Sequence, residues 1–270
     1  MKLKNLGKVY TLDSDDNFDH QKDITLSDDV MNLVNIILDY FREVICSDIH
    51  SAYLRGSCLD RNVVDNDTMD IDMIIVHEDE SFDSWGYLTD ECIDDIIEIM
   101  ESTYGFSIYP DIGVHYIDYF RKSTQMRFLC KKVYGQEDLS ISKIKRSEMF
   151  KWIYKNQEGW IDQCKIYVEK EKKRFDPNWI RSAVKYFFRN FSIEFLVENG
   201  QYTKSLYKCY NVMLENYPNH RKDLEDIMDL FLHCEEYSKE KIIEDLDKIL
   251  FFLEPDRSKK SYHIKINKGR

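Results

Sequence analysis

SAYLRGSCLDRNVVDNDTMDIDMIIVH, residues 51–77, sets two apolar runs on either side of a polar loop. The first, Ala52-Tyr53-Leu54, turns at Arg55-Gly56-Ser57; the second, from Met69 to Val76, carries Asp70 and Asp72 near its start. The second run reads as a buried strand. Side chains alternate faces along a strand, so Asp70 and Asp72 point one way while Ile71, Met73 and Ile75 point the other. Two carboxylates on a largely buried strand repel one another and lose solvation, so a positive charge is needed to offset the cost. Clustered carboxylate oxygens suit Mg²⁺ or Mn²⁺, which also holds the phosphates of a nucleotide.

Twelve residues intervene between Ser57 and Asp70. A Gly at a strand-to-helix turn allows close backbone approach to a ligand, and a Ser hydroxyl with N–H groups at a helix start binds phosphate oxygen. Together the two halves describe a triphosphate–metal site. The alternative is that Asp70 and Asp72 cap a loop and face water.

Leu54, Gly56-Ser57 and Asp70-Ile71-Asp72, at this spacing, resemble the signature of the nucleotidyltransferase superfamily related to DNA polymerase beta. The segment QYTKSLYKCYNVMLENYP, residues 201–218, resembles more loosely the helical C-terminal half of bacterial antibiotic (aminoglycoside) nucleotidyltransferases and of toxin-type stand-alone nucleotidyltransferases. The resemblance implies that Asp70 and Asp72 ligate metal, that Gly56 and Ser57 hold the triphosphate of ATP or another NTP, and that an acceptor hydroxyl attacks the α-phosphate to release pyrophosphate. It also implies a third carboxylate on a neighbouring strand. Asp118, between Ile117 and Tyr119, is preferred as third catalytic and metal-binding acid, with Asp111 as the alternative. His115 reaches the site only if the register slips. Arg55 and Arg61 are candidates to neutralise phosphate, as are Lys185 and Lys204 from the second half; each competes with the reading of an ordinary solvated cation.

The rest of the chain supports an ordered globular protein. Of its 270 residues 43% are hydrophobic, 14% are aromatic and only 13 are Gly or Pro, which excludes a disordered scaffold. Seven scattered cysteines, without a Cys-x-x-Cys, argue against a disulfide framework or a structural zinc and for a reducing cytoplasm. The N-terminus lacks the apolar core of a signal peptide and no stretch is long enough to span a membrane, so neither export nor a membrane partner is expected. Residues 1–120 hold 7 Lys and Arg against 27 Asp and Glu, whereas residues 121–270 hold 31 against 23. That polarity suits a metal–nucleotide complex bound between an acidic and a basic half.

Periodicity predicts an amphipathic helix over 28–46 with Ser27 as N-cap, a helix over 89–104 ended by Gly105, a strand over 112–120 and a short strand over 126–129. From about residue 145 it predicts helices over 146–156, 158–173, 177–199, 203–216, 219–233 and 238–253. The expected fold is α+β: a mixed sheet with helices over 1–140, a nucleotidyltransferase-like catalytic domain, then an α-helical bundle over 141–255 and a basic tail over 256–270. Three functions remain open: transfer of a nucleotide to a small hydroxylated acceptor; a toxin–antitoxin or defence enzyme acting on RNA or protein, with an antitoxin partner; and an inactive domain that binds nucleotide or a partner.

Overall fold

A computed structural model describes residues 8–19, 25–45, 48–56, 58, 59, 64, 70–78, 89–135 and 137–254. In chain order the strands are β1 (Tyr10–Thr11), β2 (Asn17–Asp19), β3 (Ile49–Arg55), β4 (Asp70–His77), β5 (Tyr109–Tyr116), β6 (Lys131–Gly135), β7 (Lys143–Lys145) and β8 (Gln201–Tyr202). The α-helices are α1 (Asp28–Tyr40), α2 (Asp90–Tyr104), α3 (Ile117–Lys122), α4 (Thr124–Phe128), α5 (Arg146–Arg174), α6 (Pro177–Glu198), α7 (Leu206–Asn216), α8 (Arg221–His233) and α9 (Lys239–Phe252). The architecture is α+β, a mixed sheet with helices and a C-terminal helical region. The chain divides into two compact units, 19–144 and a second made of 1–18 with 145–270.

In the sheet unit the strand order is β5-β4-β3-β6, with β4 and β5 parallel and the other pairs antiparallel. Ile71, Met73 and Ile75 pack with Ala52 and Leu54 against Val30, Leu33, Val34 and Ile37 of α1 and Ile96 and Met100 of α2. Ile74, Val76 and Tyr53 face the other way, against Ile117, Phe120, Cys130 and Leu139. Cover on both faces explains why β3 and β4 are almost unbroken apolar runs rather than alternating ones. The Ser27 hydroxyl caps α1 by accepting from the Val30 N–H at 3.3 Å, and Gly105 ends α2 at a φ of +76°, which glycine adopts freely.

Several local expectations are corrected. The strand expected over 112–120 is Tyr109–Tyr116, and Ile117 onward is helix because Ile117 and Phe120 turn into the core beneath β4. Pro110 sits inside β5, where its missing N–H is tolerated because β5 is an edge strand. Residues 126–129 belong to α4 and its end, with the strand beginning only at Lys131. The two helices expected over 146–173 are one continuous helix, since nothing opposes Gly159 within 4 Å and the apolar face runs through it from Met149 and Ile153 to Cys164 and Val168.

The helical unit buries Phe187, Phe188, Cys164, Val168, Ile227, Leu246 and Ile249 in one core. Residues 8–18 belong to it, with Tyr10 and Thr11 paired to Tyr202 and Gln201. Among the described residues no helix is long and apolar enough to cross a membrane. A charged cluster with a fully buried member joins α8 to α9 in the helical unit. The Lys248 ammonium donates to Asp226 and Asp245 at 2.7 Å each, and Lys241 donates to Asp245 at 2.9 Å. Burial works to lower the Lys248 pKa, but those two hydrogen bonds overcome it and raise it. Removing one partner leaves Asp245, with 0% exposure, short of compensation. Lys248→Met should therefore cost about 3 kcal/mol in urea unfolding, and Lys248→Met with Asp245→Leu should recover much of that loss.

Candidate active site

Polar groups gather at the end of the sheet where β4 begins and β3 finishes. Cross-strand register sets Arg55 of β3 opposite Asp72 of β4, and Asp72 beside Asp111 of β5. Residues opposite one another share a face, so Arg55, Asp72 and Asp111 form one row on the face that carries Tyr53 and Ile74. Asp70 lies two residues beyond Asp72 on that face and is exposed; Asp72 is half-buried.

Gly56 follows directly at a φ of +76°, the left-handed region that L side chains avoid. Its missing side chain is as consequential as its conformation. A Cβ there would overlap the Asp72 carboxylate and stand 2.8 Å from Cγ and 3.0 Å from Cβ of Asp72. Glycine is thus required because the acidic strand fills the space above the turn. Cys58 and Leu59 then bury themselves in the sheet core, the Cys58 thiol lying 3.9 Å from the Asp70 carbonyl oxygen, which ties the turn to the start of β4.

The electrostatics of the row are unbalanced. Among the described residues the Arg55 guanidinium faces the row, 3.7 Å from Asp72 Oδ1. The Asp111 carboxyl is pushed up to about 6 by lost solvation, then by the Asp72 charge and a hydrogen bond shared with Asp72, with Asp70 adding to the rise and Arg55 opposing it. The residue as a whole is exposed at the sheet's edge, so the rise belongs to a carboxyl crowded by protein on one side only. Among the described residues no group of three His, Cys, Asp or Glu side chains is arranged to hold a metal ion. The donors present are hard carboxylate oxygens, and such a set fits Mg²⁺ or Mn²⁺, which commonly takes one or two carboxylates and completes its shell from phosphate and water.

The structure does not bring Asp118 to this row. It lies on α3, past the far end of β5, beyond about 16 Å of strand from Asp111. There it is exposed and 3.7 Å from the Arg121 guanidinium on its own helix. Asp111 occupies the place beside Asp72 instead. Asp118 is preferred from sequence for its place between Ile117 and Tyr119, whereas Asp111, like the acids of β4, lies near the start of its strand. Ser57 and Arg61 lie outside the described residues. Lys185 and Lys204 belong to the helical unit, where the Lys185 ammonium lies 5.8 Å from the centre of the Phe231 ring and the Lys204 carbonyl accepts from Arg189 at 2.9 Å. Gly113 was not singled out from sequence, although a lone glycine inside a strand signals close approach of another group.

No family model matches this chain, and no curated protein matches it. Among solved structures it is similar to the spectinomycin adenyltransferase AAD(9) from Enterococcus faecialis, solved with ATP and spectinomycin. The two are 13% identical, with a TM-score of 0.47, and the match covers 82% of this chain and 98% of that one.

A carboxyl whose folded pKa lies above its ordinary 3.8 binds more protons in the folded chain than in the unfolded one between pH 3.8 and about 6. Stability contributed by Asp111 is therefore greatest below that window and falls as pH rises through it. Asp111→Asn should raise the melting temperature of the ligand-free protein at about pH 8 by more than at about pH 4, as read by calorimetry at both pH values.

Proposed function

We propose that the protein is a metal-dependent nucleotidyltransferase that moves a nucleoside monophosphate, AMP from ATP, onto a hydroxyl acceptor with release of pyrophosphate. The observation that carries this reading is the side-by-side register of Asp72 and Asp111, with Asp70 on the same face and the Gly56 turn closed against Asp72. A carboxyl raised to about 6 by lost solvation and by its acidic neighbours, at an accessible sheet end, is reason to read the row as a cation site.

Asp72 and Asp111, side by side, would supply the one or two carboxylates that hold Mg²⁺ or Mn²⁺, with Asp70 on the same face. When bound, the ion supplies neutralisation of the triphosphate and of charge developing on the attacking and leaving oxygens. Arg55 takes the phosphate side of the row, and the backbone after Gly56 provides the turn over which phosphate oxygens lie. Asp111, outermost of the acids and the one with the raised pKa, is the group best poised to accept a proton from the acceptor hydroxyl. Asp118 is left out of the site, as are Lys185 and Lys204 as first candidates for the phosphates. The strong acidity of residues 1–120 favours a small polycationic acceptor over a nucleic acid.

The test incubates the purified protein with Mg²⁺, α-labelled ATP and cell extract, then separates RNA, protein and small-molecule fractions. Label should enter the small-molecule fraction; label in RNA or protein would reassign the acceptor. Asp72→Ala and Asp111→Ala should each lower transfer by about a hundredfold or more, while Asp118→Ala should leave it within about twofold of wild type. Equal loss with Asp118→Ala, or full activity with Asp111→Ala, would overturn the assignment of the third carboxylate. Absence of transfer with any of the four labelled nucleotides, together with metal-dependent nucleotide binding, would point to a binding domain.

A further inference from the structure

Asp72 turns its two carboxylate oxygens to different neighbours. Oδ2 takes the space that a Cβ on Gly56 would need, and Oδ1 faces the Arg55 guanidinium at 3.7 Å across the antiparallel register of β3 and β4. On its other flank the carboxyl shares a hydrogen bond with Asp111.

The pair with Arg55 is loose. A separation of 3.7 Å brings the charges together but exceeds a hydrogen bond, so the guanidinium fork does not grip the carboxylate. The two side chains are also 32% and 21% exposed, which leaves their attraction screened by water. Ion pairs of this kind contribute little stability and exchange partners readily. What favours a cation here is the sign of the row, in which Asp72 and Asp111 stand side by side with Asp70 on the same face.

A compact divalent ion meets that demand better than a guanidinium, because it carries more charge and packs closer to carboxylate oxygens. It also repels Arg55 from the position that Asp72 had favoured. Arg55 is the last residue of β3 and directly precedes the left-handed Gly56 turn, so a guanidinium released by Asp72 remains beside that turn. Its planar set of N–H donors matches phosphate oxygens as well as it matches a carboxylate.

We infer that Arg55 is an exchangeable counter-ion: it neutralises Asp72 before metal binds, yields Asp72 Oδ1 to the ion, and passes to the triphosphate, so that metal and nucleotide bind with positive coupling. The inference rests on the nucleotidyltransferase reading and adds a sign to it. Arg55 opposes the metal alone and favours the nucleotide, so removing its charge moves the two affinities in opposite directions.

Calorimetric titration with Mn²⁺ alone, and with ATP in the presence of Mn²⁺, compares wild type with Arg55→Gln, Arg55→Lys and Asp72→Ala, each checked for folding by circular dichroism. Arg55→Gln should bind Mn²⁺ alone about threefold or more tighter than wild type, and ATP with Mn²⁺ about tenfold weaker. Arg55→Lys, which keeps the charge without the fork, should bind Mn²⁺ alone within about twofold of wild type and ATP less tightly. In wild type, Mg²⁺ should move the Arg55 Nε–H signal in nuclear magnetic resonance spectra, the signal being assigned by its loss in Arg55→Gln. Glutamine and lysine variants that bind Mn²⁺ alone equally well overturn the inference, as does an Arg55→Gln that binds it no tighter than wild type, or an Arg55 signal unmoved by Mg²⁺. If wild type binds no Mn²⁺, or Asp72→Ala binds it as wild type does, the metal site of the underlying reading fails, and the inference with it.

Discussion

Two carboxylates held side by side by parallel strand pairing are the constraint around which the sheet unit is built. Asp72 and Asp111 are register partners, and a one-residue shift of β5 against β4 would put the two carboxylates on opposite faces. The covering of that sheet is what keeps the acids adjacent: α1 and α2 close one face, and the turn from β5 into α3 closes the other. The repulsion that results is visible in the Asp111 carboxyl, lifted to about 6. A strained pair of this kind is stable only because the apolar contacts beneath it are many and the pair itself stands at a sheet end, where water remains within reach.

Both glycines at the site act by omission. Gly56 has no side chain where the Asp72 carboxylate lies, and Gly113 has none where the His115 ring lies. In each case a neighbouring side chain occupies the space that a Cβ would take. The backbone at Gly56 is left-handed as well, which doubles the demand for glycine at that position. Gly113 lies in an ordinary strand conformation, and its requirement is purely steric.

How much of this could be read from the sequence follows from the range of the interactions concerned. The Gly56 turn and the acids of β4 were legible because their spacing is local and their period is that of a strand. Ser27, Thr89 and Gly105 were legible as helix ends for the same reason, each satisfying its own helix's terminal groups. The choice between Asp111 and Asp118 was not, since it depends on how β5 is set against β4 after a crossover of more than thirty residues. Apolar character continued through Ile117 and Phe120, and continuity alone cannot tell a strand from a strand that turns into a buried helix. The pairing of Tyr10 with Tyr202 was beyond reach altogether, because a two-residue strand has no period and its partner is far along the chain.

His115 reads from sequence as an isolated histidine, and in the structure its imidazole is buried and stacked on Tyr119. Its neighbours in sequence, Val114 and Tyr116, carry no charge, and nothing local to it suggests a site. Its relation to Asp111 runs through a residue with no side chain, four positions along one strand face, and becomes apparent only when the ring is seen lying over that gap. Arg55 and Asp111 are separated by two strand spacings, about 10 Å, across one sheet end, with Asp72 between them.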